Sequence, residues 1–237
     1  MIELYGSGSP NVTRIFIALE ELSLPYRAHG IDIFAGQQFE DWFGQINPNR
    51  KVPVIVDRND QADERTIFES AAILIYLSDK TRKLLPASGQ ERYETLQWLM
   101  VQVTTVGPMM GQYVHFSRYA PEASSRYALD RYRIQAQRVF DVLDNRLEAR
   151  ANLAGDDISI ADIALFPWCR NLSTLFGEDY ASTLTNINRW KNELSCRPSV
   201  IRALAAQDVL RQRLTTPENA QSEMLDRLFG RGEVVQN

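Results

Sequence analysis

The sequence predicts an α/β domain at the N-terminus followed by an all-α domain. Over roughly the first 80 residues, short apolar runs bounded by turn residues alternate with helical patterns, which is typical of a sheet covered by helices. From residue 91 onward almost no strand pattern occurs, and apolar residues recur at helical spacing instead. Residues 81–90, which contain Pro, Ser and Gly, form the predicted linker between the two domains.

The N-terminal elements follow the order β-α-β-α-β-β-α. The strands are predicted at 2–5, 26–33, 52–56 and 66–68, and the helices at 10–22, 39–46 and 70–78. Pro10 begins the first helix, because proline is tolerated in a first helical turn. Pro53 lies inside a β-branched apolar run, which places it at a strand start or edge. This order indicates a thioredoxin-like domain over residues 1–80.

The remaining elements are helices, predicted at 91–117, 122–150, 160–176 and 184–195, with a shorter one from about 198. Gly107-Pro108 predicts a kink in the first of them, because proline removes a backbone hydrogen bond. Ser159 and Asp162 form a capping pair, so Asp162 is expected to be structural. These helices give a domain over 91–206. The tail, 207–237, mixes helix-favouring and polar stretches, and its pattern leaves open whether it docks on the body.

The composition excludes several kinds of site. A net charge of −4 argues against a nucleic-acid partner, because phosphate binding needs clustered Lys and Arg. His29 and His115 are the only histidines and no CxxC pair occurs, so no metal site is expected. Cys169 and Cys196 lie far apart in helical patterns and are predicted to be buried free thiols.

Targeting patterns are also missing from the sequence. The N-terminal segment has no basic stretch followed by an apolar core, which a signal peptide requires. No run of about 18 apolar residues occurs, so no membrane-spanning helix is expected. We therefore expect a cytoplasmic protein without a membrane partner.

Ser9-Pro10-Asn11 ends the first strand and opens the first helix. In a thioredoxin-like layout an active-site residue here points at the substrate, beside helix-end amides and the positive end of the helix dipole. Thioredoxins and glutaredoxins have two cysteines in this turn, where this chain has Ser9 and Val12. Any reacting thiol must then come from the ligand. By itself, the segment is more typical of an ordinary helix start capped by Ser or Asn.

Two further segments could bind a ligand. Val52-Pro53 is a candidate cis peptide, which would turn the backbone groups of Val52 outward to pair with a peptide, although a trans edge strand is the commoner structure. Ser70 is predicted to cap the helix that follows it and to offer an anion site, and Glu69 offers a carboxylate for an ammonium. A cap with an exposed Glu is the simpler alternative. Together with Ser9 and Asn11, these segments suit a short peptide that carries a thiol.

These motifs resemble the glutathione transferase superfamily, and within it the bacterial nu class, which is related to the yeast nitrogen-regulator prion protein. The resemblance runs from residue 1 to about 206. The matching stretches are Ser9-Pro10-Asn11, Gly36-Gln37-Gln38-Phe39, Asn47-Pro48-Asn49-Arg50-Lys51-Val52-Pro53, Phe68-Glu69-Ser70, Gln97-Trp98, Gly107-Pro108-Met109-Met110-Gly111-Gln112 and Arg131-Tyr132.

The resemblance implies a role for each matching residue. Ser9, where the class more often has threonine, and Asn11 would donate hydrogen bonds to the sulfur of glutathione. The rest of glutathione would be bound by Gln38, Lys51, Val52, cis Pro53, Glu69, Ser70 and Arg131, the last from the helical domain. Gln112 and Phe116 would lie near the co-substrate. The class is associated with one or two glutathiones, or one glutathione disulfide, per site, and the superfamily with homodimers.

The expected function is glutathione-dependent reduction of disulfide bonds by glutathione thiols, with no protein cysteine involved. The expected partners are small-molecule thiol and disulfide substrates. Two alternatives stay open at the level of the sequence. One is conjugation of glutathione to electrophiles, and the other is a regulatory protein that binds glutathione without turnover.

Overall fold

A computed structural model of the chain describes residues 1–58, 64–119 and 125–231. The chain divides into two compact units. Met1–Leu74 and Arg202–Asn237 form the first unit, and Ile75–Ile201 form the second. The first unit is therefore built from both ends of the chain.

The first unit contains a four-stranded sheet with the order β2-β1-β3-β4. Its strands are β1 (Ile2–Gly6), β2 (Tyr26–Gly30), β3 (Val54–Arg58) and β4 (Glu64–Phe68). β1 pairs with β2 in parallel and with β3 antiparallel, and β3 pairs antiparallel with β4. The helices are α1 (Pro10–Glu21), α2 (Asp41–Ile46) and α3 (Ser70–Thr81), so the predicted element order and the thioredoxin-like fold are confirmed.

Burial explains why these residues form these elements. Eight consecutive residues of α1, from Val12 to Leu19, are buried, so this helix packs against neighbours on all sides. A core cluster of Ile31, Phe43 and Val54 joins the end of β2, α2 and β3. β3 begins at Val54 rather than at the predicted residue 52, because Pro53 has no N–H to give to the sheet.

The C-terminal segment of the first unit contains α11 (Pro198–Arg211), which begins in the second unit, and α12 (Ser222–Phe229). Thr215 donates from its N and its Oγ1 to Asp32 Oδ2, at 2.9 and 2.8 Å. The guanidinium carbon of Arg227 lies 4.1 Å from the centre of the Phe39 ring. The described part of the tail is thus docked on the residues that follow β2.

The second unit is helical, as predicted. Its helices are α4 (Gly89–Val101), α5 (Gly107–Val114), α6 (Arg126–Leu147), α7 (Ile160–Cys169), α8 (Leu172–Phe176), α9 (Glu178–Thr183) and α10 (Thr185–Ser195). The prediction did not include α9. Immediately before Gly107-Pro108, where the sequence predicts a kink, Gln102–Val106 forms a π-helical turn, and the Gly107 amide donates to the Gln102 oxygen.

Asp162 is a charged residue of this unit that is fully buried. Its carboxylate accepts from the N–H groups of Ser159 and Leu153, at 3.0 and 2.9 Å, and from Trp190 Nε1 at 3.1 Å. Burial raises the pKa of the Asp162 carboxyl, while these donors act in the opposite direction. The predicted structural role of Asp162 as a helix cap is confirmed.

The two cysteines differ in their surroundings. Cys169, at the end of α7, is buried and its thiol is free, as predicted. Cys196 is also a free thiol, but it is exposed, so the prediction that it is buried is wrong. It occupies the C-cap of α10, where the chain leaves the helix and the apolar pattern ends. Across the described ranges, no helix is long and apolar enough to cross a membrane.

Candidate active site

The sheet brings the predicted sulfur-binding and peptide-binding segments to one end. Tyr5, near the end of β1, is opposite Val54, the first residue of β3. Val54 is in turn opposite Phe68, the last residue of β4. Three segments therefore meet at the same end of the sheet: the turn after β1, the residues before β3 and the residues after β4. These are the segments that contain Ser9, Val52 and Glu69.

Ser9 occupies the N-cap position of α1 with an extended backbone, φ −80° and ψ 154°. Its hydroxyl makes no capping hydrogen bond, so the ordinary helix cap does not account for it. Within the described residues the buried Ser9 Oγ has no hydrogen-bond partner at all. A buried hydroxyl without a partner is costly unless a ligand supplies one.

The side chain of Asn11 is held by Arg14, one turn further along α1. An Arg14 terminal nitrogen donates to Asn11 Oδ1 at 2.6 Å. Because a guanidinium can only donate, the atom that faces it must be the amide oxygen. The Nδ2 group of Asn11 therefore points away from Arg14 and is oriented as a donor.

Arg14 is almost completely buried, with 1% of its surface exposed. Burial lowers the pKa of its guanidinium to about 9, which still leaves it charged at neutral pH. A cation in such a low-dielectric position favours a neighbouring anion. Arg14 is not among the site residues predicted from the sequence, although an arginine three residues after Asn11, inside the apolar stretch of α1, is a readable signal.

The peptide bond between Val52 and Pro53 is cis, as predicted. Pro53 is buried and Val52 is partly buried. Lys51, just before them, is exposed, and its backbone oxygen accepts from Asn47 Nδ2 at 2.6 Å. Asn47 is almost fully buried, so the loop that carries Lys51 and Val52 is anchored from inside the unit.

Glu69 is exposed and has a positive φ of 67°, in the left-handed region that non-glycine residues rarely adopt. Such a conformation is found mostly where the surrounding structure needs it. Its Oε1 accepts from Asn49 Nδ2 at 3.2 Å. Ser70, the predicted cap of α3, is instead its first helical residue. The cap position falls on Glu69, because Ile73 N donates to Glu69 O. The N–H groups at this helix start remain suited to an anion.

The other predicted site residues lie in different surroundings. Gln38 is buried, its Nε2 donates to Ile33 O at 3.1 Å, and its Oε1 has no hydrogen-bond partner among the described residues. Arg131 is exposed on α6 of the second unit. In that unit Gln112 is exposed, and the Phe116 ring stacks on Tyr132 with ring centres 5.5 Å apart. Nowhere in the described ranges do His, Cys, Asp and Glu side chains cluster in a way that would hold a metal ion.

Comparison with known proteins identifies the family. A family model described as glutathione S-transferase, N-terminal domain, matches residues 8–80, and a second, glutathione S-transferase, C-terminal domain, matches residues 126–190. The chain is 42% identical over 206 residues to disulfide-bond oxidoreductase YfcG of Escherichia coli, covering 86% of this chain and 94% of the relative. The chain belongs to the glutathione transferase family.

Other members of the glutathione transferase family are similar over the same extent. Disulfide-bond oxidoreductase YghU of Escherichia coli is 36% identical to this transferase-family chain, over 85% of it and 73% of the relative. A family member from Pseudomonas fluorescens, solved with two glutathiones bound, has a TM-score of 0.81 and 40% identity and covers 86% of this chain and 92% of its own. A glutathione transferase from Pseudomonas putida, solved with one glutathione disulfide per subunit, has a TM-score of 0.79 and 36% identity, with 86% and 90% covered.

Proposed function

We propose that this protein is a glutathione-dependent disulfide reductase that uses the thiols of glutathione and no cysteine of its own. The observation that carries this proposal is the segment that runs from the turn after β1 into the first turn of α1. It has Ser9 and Val12 where a dithiol enzyme has cysteines, and it presents the Asn11 amide, oriented by Arg14, as a donor. The names of the two Escherichia coli relatives, both disulfide-bond oxidoreductases, support the same reaction.

The first glutathione binds along the edge of the sheet. Its γ-glutamyl end lies at Glu69 and Ser70, and its cysteinyl backbone pairs with Val52 beside Pro53. Its sulfur accepts hydrogen bonds from Ser9 and Asn11. Carboxylates and carbonyls of the ligands are bound by Gln38, Lys51 and Arg131.

In this proposal the chain has three parts. The glutathione-binding domain comprises residues 1–80, the helical domain 91–206 and the tail 207–237.

Hydrogen bonds suffice to ionise the bound thiol. A free thiol has a pKa of about 8.5, so only a few per cent of it is thiolate at neutral pH. One hydrogen bond to a charged group contributes roughly 1.5–3 kcal/mol. Since a pKa unit corresponds to about 1.4 kcal/mol, one donor that bonds the thiolate lowers the pKa by about one to two units.

The reaction then proceeds by two thiol–disulfide exchanges. The thiolate of the first glutathione attacks one sulfur of the substrate disulfide, forms a mixed disulfide and releases the other half as a thiolate, which takes a proton. The thiolate of a second glutathione attacks the glutathione sulfur of the mixed disulfide. This step releases the second substrate thiol and leaves glutathione disulfide. The Pseudomonas fluorescens relative, with two glutathiones bound, corresponds to the beginning of this reaction. The Pseudomonas putida relative, with one glutathione disulfide bound, corresponds to its end.

The cysteines of the protein lie outside this chemistry. Cys169 is buried in α7, and burial raises the pKa of its thiol far above neutral pH, so it is a poor nucleophile. Cys196 is exposed at the end of α10. Both belong to the second unit and neither is in the turn that contains Ser9.

A turnover assay tests the proposal. Reduction of hydroxyethyl disulfide by glutathione should exceed conjugation of glutathione to chlorodinitrobenzene, and Cys169→Ser combined with Cys196→Ser should leave the reduction rate unchanged. Calorimetry should show glutathione binding that Glu69→Ala weakens. Loss of reduction in the double cysteine variant would move the chemistry to protein thiols, and flat heats with glutathione and its disulfide would end the proposal.

Conjugation is the second candidate, because both matching family models describe glutathione S-transferases. The same thiolate would attack an electrophilic carbon instead of a disulfide sulfur. This candidate gains support if chlorodinitrobenzene conjugation is the faster reaction. Binding of glutathione with both activities at background would indicate a regulatory protein instead.

The working protein is a cytoplasmic homodimer in this proposal. Large apolar side chains are exposed on two helices of the second unit, with Tyr93 and Met100 on α4 and Tyr127 and Ile134 on α6. Each pair is seven residues apart, so its members lie on one face of their helix. Exposed apolar faces of this kind mark protein–protein interfaces.

A further inference from the structure

Gln207 in α11 is hydrogen-bonded to the turn that contains Ser9. It lies 200 positions after Ser7, one of the two residues of this turn that it contacts. Its side chain is buried, with 5% of the residue exposed. Its Nε2 lies within hydrogen-bond distance of the backbone oxygens of Ser7, at 3.1 Å, and of Ser9, at 3.3 Å. Its Oε1 accepts from Thr13 Oγ1 at 2.7 Å. One amide therefore joins both sides of the turn.

Thr13 connects this amide to the first turn of α1. Its hydroxyl also lies 3.1 Å from Ser9 O. The same oxygen accepts from the backbone N–H groups of Val12 and Thr13, each at 3.0 Å. The Ser9 carbonyl is thus surrounded by donors from α1 and α11. Because the Ser9–Pro10 peptide is planar, holding this carbonyl also holds the plane of the peptide that joins Ser9 to the first turn of α1, from which Asn11 projects.

The backbone of the turn also lies close against α11. A Cβ added to Gly8 would be 2.9 Å from Arg211 Cδ, so the absence of a side chain at this position is what permits the contact. A Cβ on Gly30, at the end of β2, would be 3.0 Å from Leu214 Cδ2. The turn is therefore packed against the C-terminal segment as well as hydrogen-bonded to it.

We propose that Gln207 is a positioning residue for the turn after β1, residues 7–9, which would present Ser9 to the sulfur of glutathione. It holds the carbonyls of Ser7 and Ser9 so that the donors of Ser9 and Asn11 meet the sulfur of bound glutathione. Glutamine suits this place because it donates and accepts without bringing a charge into a buried position. The proposal rests on the proposed function, since it assigns Gln207 to the same thiolate site.

The test is the pKa of the thiol of bound glutathione, measured from the ultraviolet absorbance of the thiolate and from the pH profile of kcat/KM. Gln207→Met keeps the length and apolar packing of the side chain and removes all of its hydrogen bonds. A displaced donor loses its hydrogen bond to the thiolate, so the thiol pKa should rise by about one unit. Starting from a thiol pKa of about 6.5–7.5, the rate at neutral pH should fall by roughly three- to eightfold and recover as the pH is raised.

A matched control lies in the same helix. Arg202 Nε donates to Glu20 Oε2 at 2.8 Å and makes no contact with the turn among the bonds described. Arg202→Ala should lower the melting temperature without moving the thiol pKa. Thr13→Val and Thr13→Ser form a second pair. Removing the hydroxyl should raise the thiol pKa, and keeping it should not.

The outcomes separate this inference from the proposed function. A higher thiol pKa in Gln207→Met and Thr13→Val, with a normal value in Arg202→Ala, supports it. An unchanged pKa in folded Gln207→Met overturns it, as does an equal shift in Arg202→Ala. If Gln207→Met fails to fold, an unchanged pKa in Thr13→Val overturns it. A wild-type protein that binds no glutathione would sink the proposed function and this inference with it.

Discussion

At the scale of single residues, the orientation of the Asn11 amide is the decisive feature of the site. Asn11 Oδ1 receives a hydrogen bond from Arg14, so Nδ2 is the end left to meet a ligand. An amide nitrogen cannot accept, whereas the Ser9 hydroxyl can rotate and either donate or accept. We therefore expect Asn11 to stabilise a thiolate more than Ser9 does.

The corresponding prediction concerns Asn11→Asp, which replaces the donor with a carboxylate oxygen of nearly the same shape. The new negative charge repels the thiolate and pairs with Arg14, so kcat/KM for disulfide reduction should fall by about 100-fold or more. Asn11→Ala removes the donor alone and should cost roughly 10- to 100-fold. Steady-state kinetics at several pH values measures both effects.

Ser9→Ala serves as the comparison in the same turn. Ser9→Ala should lower kcat/KM less than Asn11→Ala does, and it should raise the pKa of the thiol of bound glutathione less. Arg14→Met should reduce kcat/KM, and combining it with Asn11→Ala should add little, because Arg14 acts partly through Asn11. A larger loss in Ser9→Ala than in Asn11→Ala would contradict the assignment of Asn11 as the main donor.

At the scale of elements, the helices α7 and α1 begin in different ways: a side chain caps the first, and a backbone oxygen caps the second. The start of α7 depends on the Asp162 carboxylate, which accepts hydrogen bonds from N–H groups of the preceding loop and from Trp190 of α10. The start of α1 depends instead on backbone bonds to Ser9 O, which leaves the Ser9 side chain available. The first arrangement serves stability, and the second suits a binding site.

Asp162→Ala should therefore destabilise the protein without changing glutathione chemistry. The variant leaves the N–H groups of Ser159, Leu153 and Trp190 without their acceptor, and each unpaired buried donor costs about 1–3 kcal/mol. We expect a loss of at least about 3 kcal/mol in the free energy of unfolding by urea titration. Asp157→Ala, at an exposed position nearby, should change it by less than about 0.5 kcal/mol. Similar effects of both substitutions would contradict the capping role.

At the scale of the whole molecule, the exposed apolar faces of α4 and α6 predict self-association. Ile134→Lys should shift the protein from dimer to monomer, because it places a charge on the exposed apolar face of α6. Light scattering coupled to size-exclusion chromatography measures the mass directly. Val209→Lys, at another exposed apolar residue in α11, is the control and should leave the mass unchanged. A wild-type protein that elutes as a monomer at micromolar concentration contradicts the homodimer.

Local patterns in the sequence were enough to predict the element order and the segments that meet at one end of the sheet. Pro10, Pro53 and the turn after β1 are signals that act within a few residues, because backbone conformation responds to neighbours along the chain. The family resemblance added a role for each residue of the site, from Ser9 to Arg131. Those individual roles stay predictions, whereas the family itself is confirmed.

Only the tertiary structure decided which atoms face the site and what supports it. Arg14 determines the orientation of Asn11, and Gln207 reaches the turn from the far end of the chain. The docking of the tail on Asp32 and Phe39 was also unreadable from its composition. The physical reason is that buried polar partners are selected by packing in three dimensions. A hydrogen bond between residues 200 positions apart leaves no periodic or local signal in the sequence.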